Sequence, residues 1–266
     1  MIYWILYILL GAVTGFLAGL FGIGGGGVMV PVLTILYLWQ GIQADVVVHM
    51  ALATSMAAIM FTSLSSLRAH HSRKSVLWPV AFRLAAGVLI GTYVTASLTW
   101  RLSGDLLALI FTLFMGFVAY RMISNRELSV RGQLPGSLGL SAAGAGIGSL
   151  SALVAIGGGS LTVPFLAGCN VSIHKAIGTS AAIGFPIALA GTAGYLSSGW
   201  GIPGLPAGSV GYIYLPAALA VSVMSVLTAP LGASVAHSLP VRSLRRLFGL
   251  LLLALSLMML YRVGFN

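Results

Sequence analysis

Eight stretches of this chain are long enough and apolar enough to cross a bilayer as helices: roughly 3–22, 49–67, 78–98, 105–122, 137–155, 175–197, 210–235 and 244–262. A span needs about 20 mostly apolar residues. Inside lipid every backbone N–H and C=O must find a partner within the protein, so segments of this length read as helices. The fold class is therefore all-α, a polytopic helical membrane protein. Composition agrees: 59% of residues are hydrophobic and 6% charged, against about 25% charged in soluble domains. A single soluble core of this size could not hide so much apolar surface.

The net charge of +10 does not point to nucleic acid. The basic residues sit in short loops between apolar runs, as membrane topology requires, and not on an amphipathic face. The single cysteine, Cys169, excludes a disulfide framework or thiolate cluster within one chain. The opening MIYWILYILL lacks a basic leading region and reads as a mature span rather than a cleaved signal peptide.

The one sizeable hydrophilic linker runs from Arg121 to Pro135. It divides the chain into a first transmembrane repeat (1–122), a cytoplasmic linker (123–136) and a second repeat (137–266). The halves resemble each other. GIGGGGVMVP at 22–31 pairs with AIGGGSLTVP at 155–164, and HMALATS at 49–55 pairs with HKAIGTS at 174–180. Pro31 to Pro164 is an offset of 133; His49 to His174 is an offset of 125. Two motifs matching in the same order make an internal duplication.

Arg68, Arg73 and Lys74 place the loop after the third segment in the cytoplasm, and Arg121, Arg126, Arg131 and then Arg242, Arg245, Arg246 do the same for two others. Residues 198–209 carry no charge and face outside. Because 198–209 is the repeat-mate of 68–77, matching loops lie on opposite sides. This favours five elements per half in inverted topology, with both termini outside. The alternative is a re-entrant short segment, four spans per half and parallel repeats.

Two apolar stretches, about 27–39 and 160–171, are too short to cross comfortably, and each begins just after a glycine cluster. Gly24, Gly25, Gly26 and Gly27, and Gly157, Gly158, Gly159 with Ser160, break the helix at matching places. Such a break is tolerated where protein or a watery cavity covers it. The helix that restarts there points unpaired N–H groups and a positive dipole end at the break, which suits an anion. The competing reading is close helix packing through glycine. Thr54, Ser55, Thr179 and Ser180 are candidate hydroxyl donors to the same anion, or interhelical hydrogen bonders. His49 and His174 are candidates for proton coupling, or interfacial caps.

Asp45, Asp105 and Glu127 are the only acidic residues, and none lies clearly within a span. Cation pathways use such groups, so an anionic or neutral substrate is favoured. Arg83 lies inside a span, either snorkelling to the interface or adding positive potential inside. No HExxH or Asp-rich set suggests a metal, and no Walker A motif suggests ATP. No cofactor is expected.

The paired glycine–proline motifs at Gly22–Pro31 and Gly157–Pro164, the His-x-Ala-x-x-Thr-Ser-type segments, GSVGYIYLP at 208–216 and Pro-Leu-Gly-Ala at 230–233 resemble the TauE/SafE sulfite exporter family of membrane permeases. The resemblance covers nearly the whole chain. It implies export or uptake of sulfite, sulfonates or related sulfur-containing anions across the bacterial inner membrane. Ser160 stands where the first half has Gly27, which would make the two half-sites unequal. The combined expectation is a secondary transporter working by alternating access at the repeat interface; an anion channel and a non-transporting membrane scaffold are the alternatives. Its partners are a small anionic substrate and the lipid bilayer; oligomeric state is not legible.

Overall fold

The computed structural model describes residues 2–21, 25–124, 132–235 and 241–264. Gly24, Arg126, Glu127, Arg131 and His237 lie outside them. The elements in order are α1 (Ile2–Phe21), α2 (Gly26–Trp39), α3 (Ala44–Ser72), α4 (Trp78–Ser97), a single 3-10 turn (Thr99–Arg101), α5 (Gly104–Ser124), α6 (Ser137–Val154), α7 (Gly159–Gly168), α8 (Ile173–Ser198), a two-residue hairpin β1 (Ser209–Val210) and β2 (Ile213–Tyr214), α9 (Leu215–Val235) and α10 (Val241–Gly264). Among the described residues seven helices are long and apolar enough to cross a membrane. The eighth expected span corresponds to the 24-residue α10. One expected boundary is corrected: the segment from 210 starts as the hairpin, and its helix begins only at Leu215. Five glycines from Gly199 to Gly211, four of them with positive φ, make that stretch a turn region.

α3 and α8 form the centre. The most apolar window of α3 is 83% buried and that of α8 67%, whereas the other five long helices are about 40% buried. Large apolar side chains such as Phe82, Ile90, Leu113, Leu138 and Leu219 point outward from α4, α5, α6 and α9, as expected where the solvent is lipid. α3 carries Asp45 in its first turn and His70 and His71 in its last, the polarity that its dipole favours.

The outer helices lock on through small residues. Gly11 and Gly15 of α1 press on Val221 and Ser225 of α9; Gly144 and Gly148 of α6 press on Leu84 and Val88 of α4. A Cβ on any of the four would run into the neighbouring helix. In lipid, where apolar contact alone gives helices little reason to associate, this backbone proximity supplies the packing.

α2 turns back along α1. The Tyr3 hydroxyl donates to the Trp39 carbonyl, and Gln40 donates to the Tyr7 hydroxyl. The end of α2 thus lies beside the start of α1. The start of α3 packs against the loop that follows α8, where His49 stacks on Tyr212 with ring centroids 5.0 Å apart. The start of α8 packs against the loop that follows α3, where Gly178 abuts the Ser75 backbone. Each central helix therefore begins beside the loop that ends the other.

Candidate functional site

The two glycine breaks meet. α2 and α7, with 14 and 10 residues, are about 21 and about 15 Å long at 1.5 Å per residue. They approach from opposite ends of the bundle, and end to end they come to about 36 Å, enough to cross a hydrocarbon core about 30 Å thick. At their leading ends a Cβ on Gly26 would overlap the Ala155 carbonyl oxygen. Gly25 and Gly158 cap the two helices with φ of +74° and +81°, the left-handed region that favours glycine. The Gly25 carbonyl accepts from the N–H groups of Val28 and Met29, and the Gly158 carbonyl from those of Leu161 and Thr162. The cap geometry is thus the same in both halves.

The leading N–H groups of each short helix have no acceptor within their own helix and carry its positive dipole end. Buried hydroxyls without partners lie on α7 itself and, one turn away from the breaks, on α3 and α8. Ser55 and Ser180 are fully buried, and neither Oγ has a hydrogen-bond partner. Each lies one turn from a residue facing a break: Ile59 touches the Gly26 position, and Gly184 lies against the Gly157 carbonyl. Residues four apart share a helix face, so both serines belong to the faces turned toward the breaks. Ser160 and Thr162, at the head of α7, also hold buried hydroxyl oxygens without partners. Leaving a buried hydroxyl unpaired costs about 1–3 kcal/mol, so each of these groups is a donor that an acceptor would satisfy.

The neighbouring threonines are engaged. Thr54 Oγ1 accepts the N–H of Tyr214 at 3.1 Å, just before α9; Thr179 Oγ1 accepts the N–H of Leu77 at 3.0 Å, just before α4. Each ties a central helix of one half to the start of an outer helix of the other. Their oxygens already hold the bundle together.

The two histidines are placed unequally. His49 is buried; its Nε2 lies 3.1 Å from the carbonyls of both Thr99 and Leu102, which ties α3 to the turn before α5. His174 is exposed at the start of α8. Neither adjoins the glycine breaks. Arg83 is exposed on the outer face of α4, which corrects the inward-facing alternative and leaves snorkelling. Among the described residues no three His, Cys, Asp or Glu side chains come together as a metal site.

Beside the second break lies a cavity of about 10 Å³ lined by Ala18, Thr62, Ser63, Ser66, Gly157 and Gly184, with Ala181. It has room for about one water and none for a sulfur oxyanion. Thr62, Ser63 and Ser66 were not among the residues singled out from the sequence. The spacing 62, 66 on one helix face was the available signal, hidden among the many Ser and Thr residues of α3.

A family model described as sulfite exporter TauE/SafE matches residues 7–259. A "probable membrane transporter protein" of Haemophilus influenzae is 36% identical over 258 residues, covering 96% of this chain and 97% of that protein. A protein with the same description from Methanocaldococcus jannaschii is 27% identical over 263 residues, covering 96% and 94%, and one from Bacillus subtilis is 28% identical over 202 residues, covering 73% and 80%. No solved structure matches the chain. A helical bundle with two glycine-broken short helices meeting at its centre, and a family match running over nearly its whole length, identify the chain as a member of the sulfite exporter TauE/SafE family.

Proposed function

We propose that this protein is a secondary transporter that exports a small sulfur-containing anion, sulfite or an organosulfonate, by alternating access. The anion sits where the two glycine breaks meet. It takes hydrogen bonds from the leading N–H groups at Gly25–Gly27 and Gly158–Ser160, and from Ser55 and Ser180. The observation that carries this reading is the pair of fully buried serine hydroxyls without partners, on the helix faces turned to two positive helix ends. An anion is the ligand that satisfies all of these donors together.

The halves are inverted repeats, and they rock around the fixed site. Support comes from α3 and α8, each starting beside the loop that ends the other, and from the reciprocal Thr54–Tyr214 and Thr179–Leu77 bonds. The loop with Arg68, Arg73 and Lys74 faces the cytoplasm, both termini face outside, and the membrane is the bacterial inner membrane. With the interior negative, each exported negative charge gains about 2.3 kcal/mol per 100 mV, enough to drive export without ATP. A cavity beside the second break with room for about one water favours alternating access over an open channel.

Reconstitution into proteoliposomes with an imposed potential tests this. Saturable sulfite or sulfonate efflux, accelerated by an interior-negative potential and lost in a folded Gly158→Leu variant, is expected. A folded wild type that moves no sulfur anion at any potential would remove the substrate assignment.

A further inference from the structure

The duplicated halves differ in chemistry along one line. On α3, Thr62, Ser66 and His70 share a face by their spacing of four. They lead from the cavity at Gly157 toward the loop that carries Arg73 and Lys74. Thr62 Oγ1 is 2.6 Å from Ser225 Oγ of α9. Ser63 and Ser66 are 5% and 6% exposed and line the cavity, and the Ser66 hydroxyl has no partner. The 125-residue offset of the central motifs turns Thr62, Ser63 and Ser66 into Ile187, Ala188 and Gly191. There the interior is apolar. Ile187 Cδ1 presses on the Gly158 position, and the Met56 thioether fills the space left by Gly191. Met56, Ile187 and Ala188 are completely buried.

We propose that the anion reaches the glycine breaks from the basic-loop side, through a half-channel of hydroxyls on the Thr62–Ser66 face of α3. The repeat-related half on the other side is an apolar gate of Met56 and Ile187. This inference rests on the transport reading and adds the route and its sidedness. Hydroxyls replace part of an anion's water shell, whereas an apolar passage strips that shell and returns nothing. Inverted repeats of identical chemistry would give two equal half-channels; here one half is built to stay wettable and the other to stay shut. The conformation that loads from the basic-loop side is therefore the resting one, and substrate is taken from that side, which is the cytoplasm in the orientation above.

Thiol accessibility tests the route without needing a transported substrate. Cys169, the only cysteine, is replaced by alanine. Ser63→Cys, Ser66→Cys and Ala188→Cys are then introduced singly and checked for folding by size exclusion. Sealed vesicles of known orientation are exposed to a membrane-impermeant anionic reagent, sulfonatoethyl methanethiosulfonate. Ser63→Cys and Ser66→Cys should react from the basic-loop side alone, and Ala188→Cys at least about tenfold more slowly from either side, because a charged reagent is excluded from a dry passage. Folded Ser63→Cys and Ser66→Cys variants that stay unmodified from the basic-loop side, or an Ala188→Cys variant modified as fast from the other side, would overturn the route. Flux measured on the same variants separates the two readings. One-sided modification without any flux leaves the half-channel and removes transport; flux without one-sided modification does the reverse.

Discussion

Adjacent residues in each central helix divide the work. Thr54 and Thr179 spend their oxygens on backbone N–H groups of the opposite half, while Ser55 and Ser180, one position on, are buried with nothing to bond. A helix turns about 100° per residue, so neighbours address different surroundings. Replacing the threonines should therefore cost stability and replacing the serines should cost binding. Thr54→Val and Thr179→Val should each lower stability by about 1 kcal/mol, read as a lower melting temperature in detergent. Ser55→Ala and Ser180→Ala should leave melting unchanged or raise it slightly, since an unpaired buried hydroxyl is removed. They should raise the KM for transport by about tenfold, the worth of one hydrogen bond to a charged group. Serine variants that melt lower with unchanged KM would make these residues structural. Which hydroxyl is free was not legible in the sequence. The pair was visible as a pair, but the partner that claims the threonine arrives from a loop of the other half.

At the scale of elements, the short helices carry the design. Their extents were nearly legible: expected stretches of 27–39 and 160–171 became Gly26–Trp39 and Gly159–Gly168, because a glycine run and an apolar run together mark a restart. Their meeting was not legible, because no local pattern says that two helix ends separated by more than a hundred residues will touch. The contact gives a sharp prediction. A single methyl at Gly26 would overlap the Ala155 carbonyl, so Gly26→Ala must push the two breaks apart. Its transport rate should fall by at least about tenfold for even a modest misplacement of donors, while the bundle, held elsewhere by α1–α9 and α4–α6 packing, still folds. Gly41→Ala is the control at a glycine with no neighbour near its Cβ position. It should transport as wild type, with at most the strain of its positive φ as a small loss of stability. The hairpin at 209–214 went unforeseen, since its residues continue an apolar run and only the glycines punctuate it.

For the whole molecule, the all-α membrane class was readable from apolar run lengths, and among the described residues seven helices are long and apolar enough to cross a membrane. The inequality of the halves along α3 and α8 was not readable, because Ser and Thr are common on such helices and only three-dimensional placement shows which ones line a cavity. Inversion predicts that the loops 73–77 and 199–214 open to opposite sides. Single cysteines at Ser75 and Ser198 in the Cys169→Ala background should be modified from opposite faces of the membrane, and modification from the same face would require parallel halves. The most direct test of the central claim, an anion site at the meeting point of the breaks, is equilibrium binding of sulfite and of a sulfonate to purified wild type, Ser180→Ala and Gly26→Ala by calorimetry. The expected result is saturable binding in wild type, weakened about tenfold in Ser180→Ala and absent in a folded Gly26→Ala. Equal affinity in all three folded proteins would contradict the claim and place the site elsewhere in the bundle.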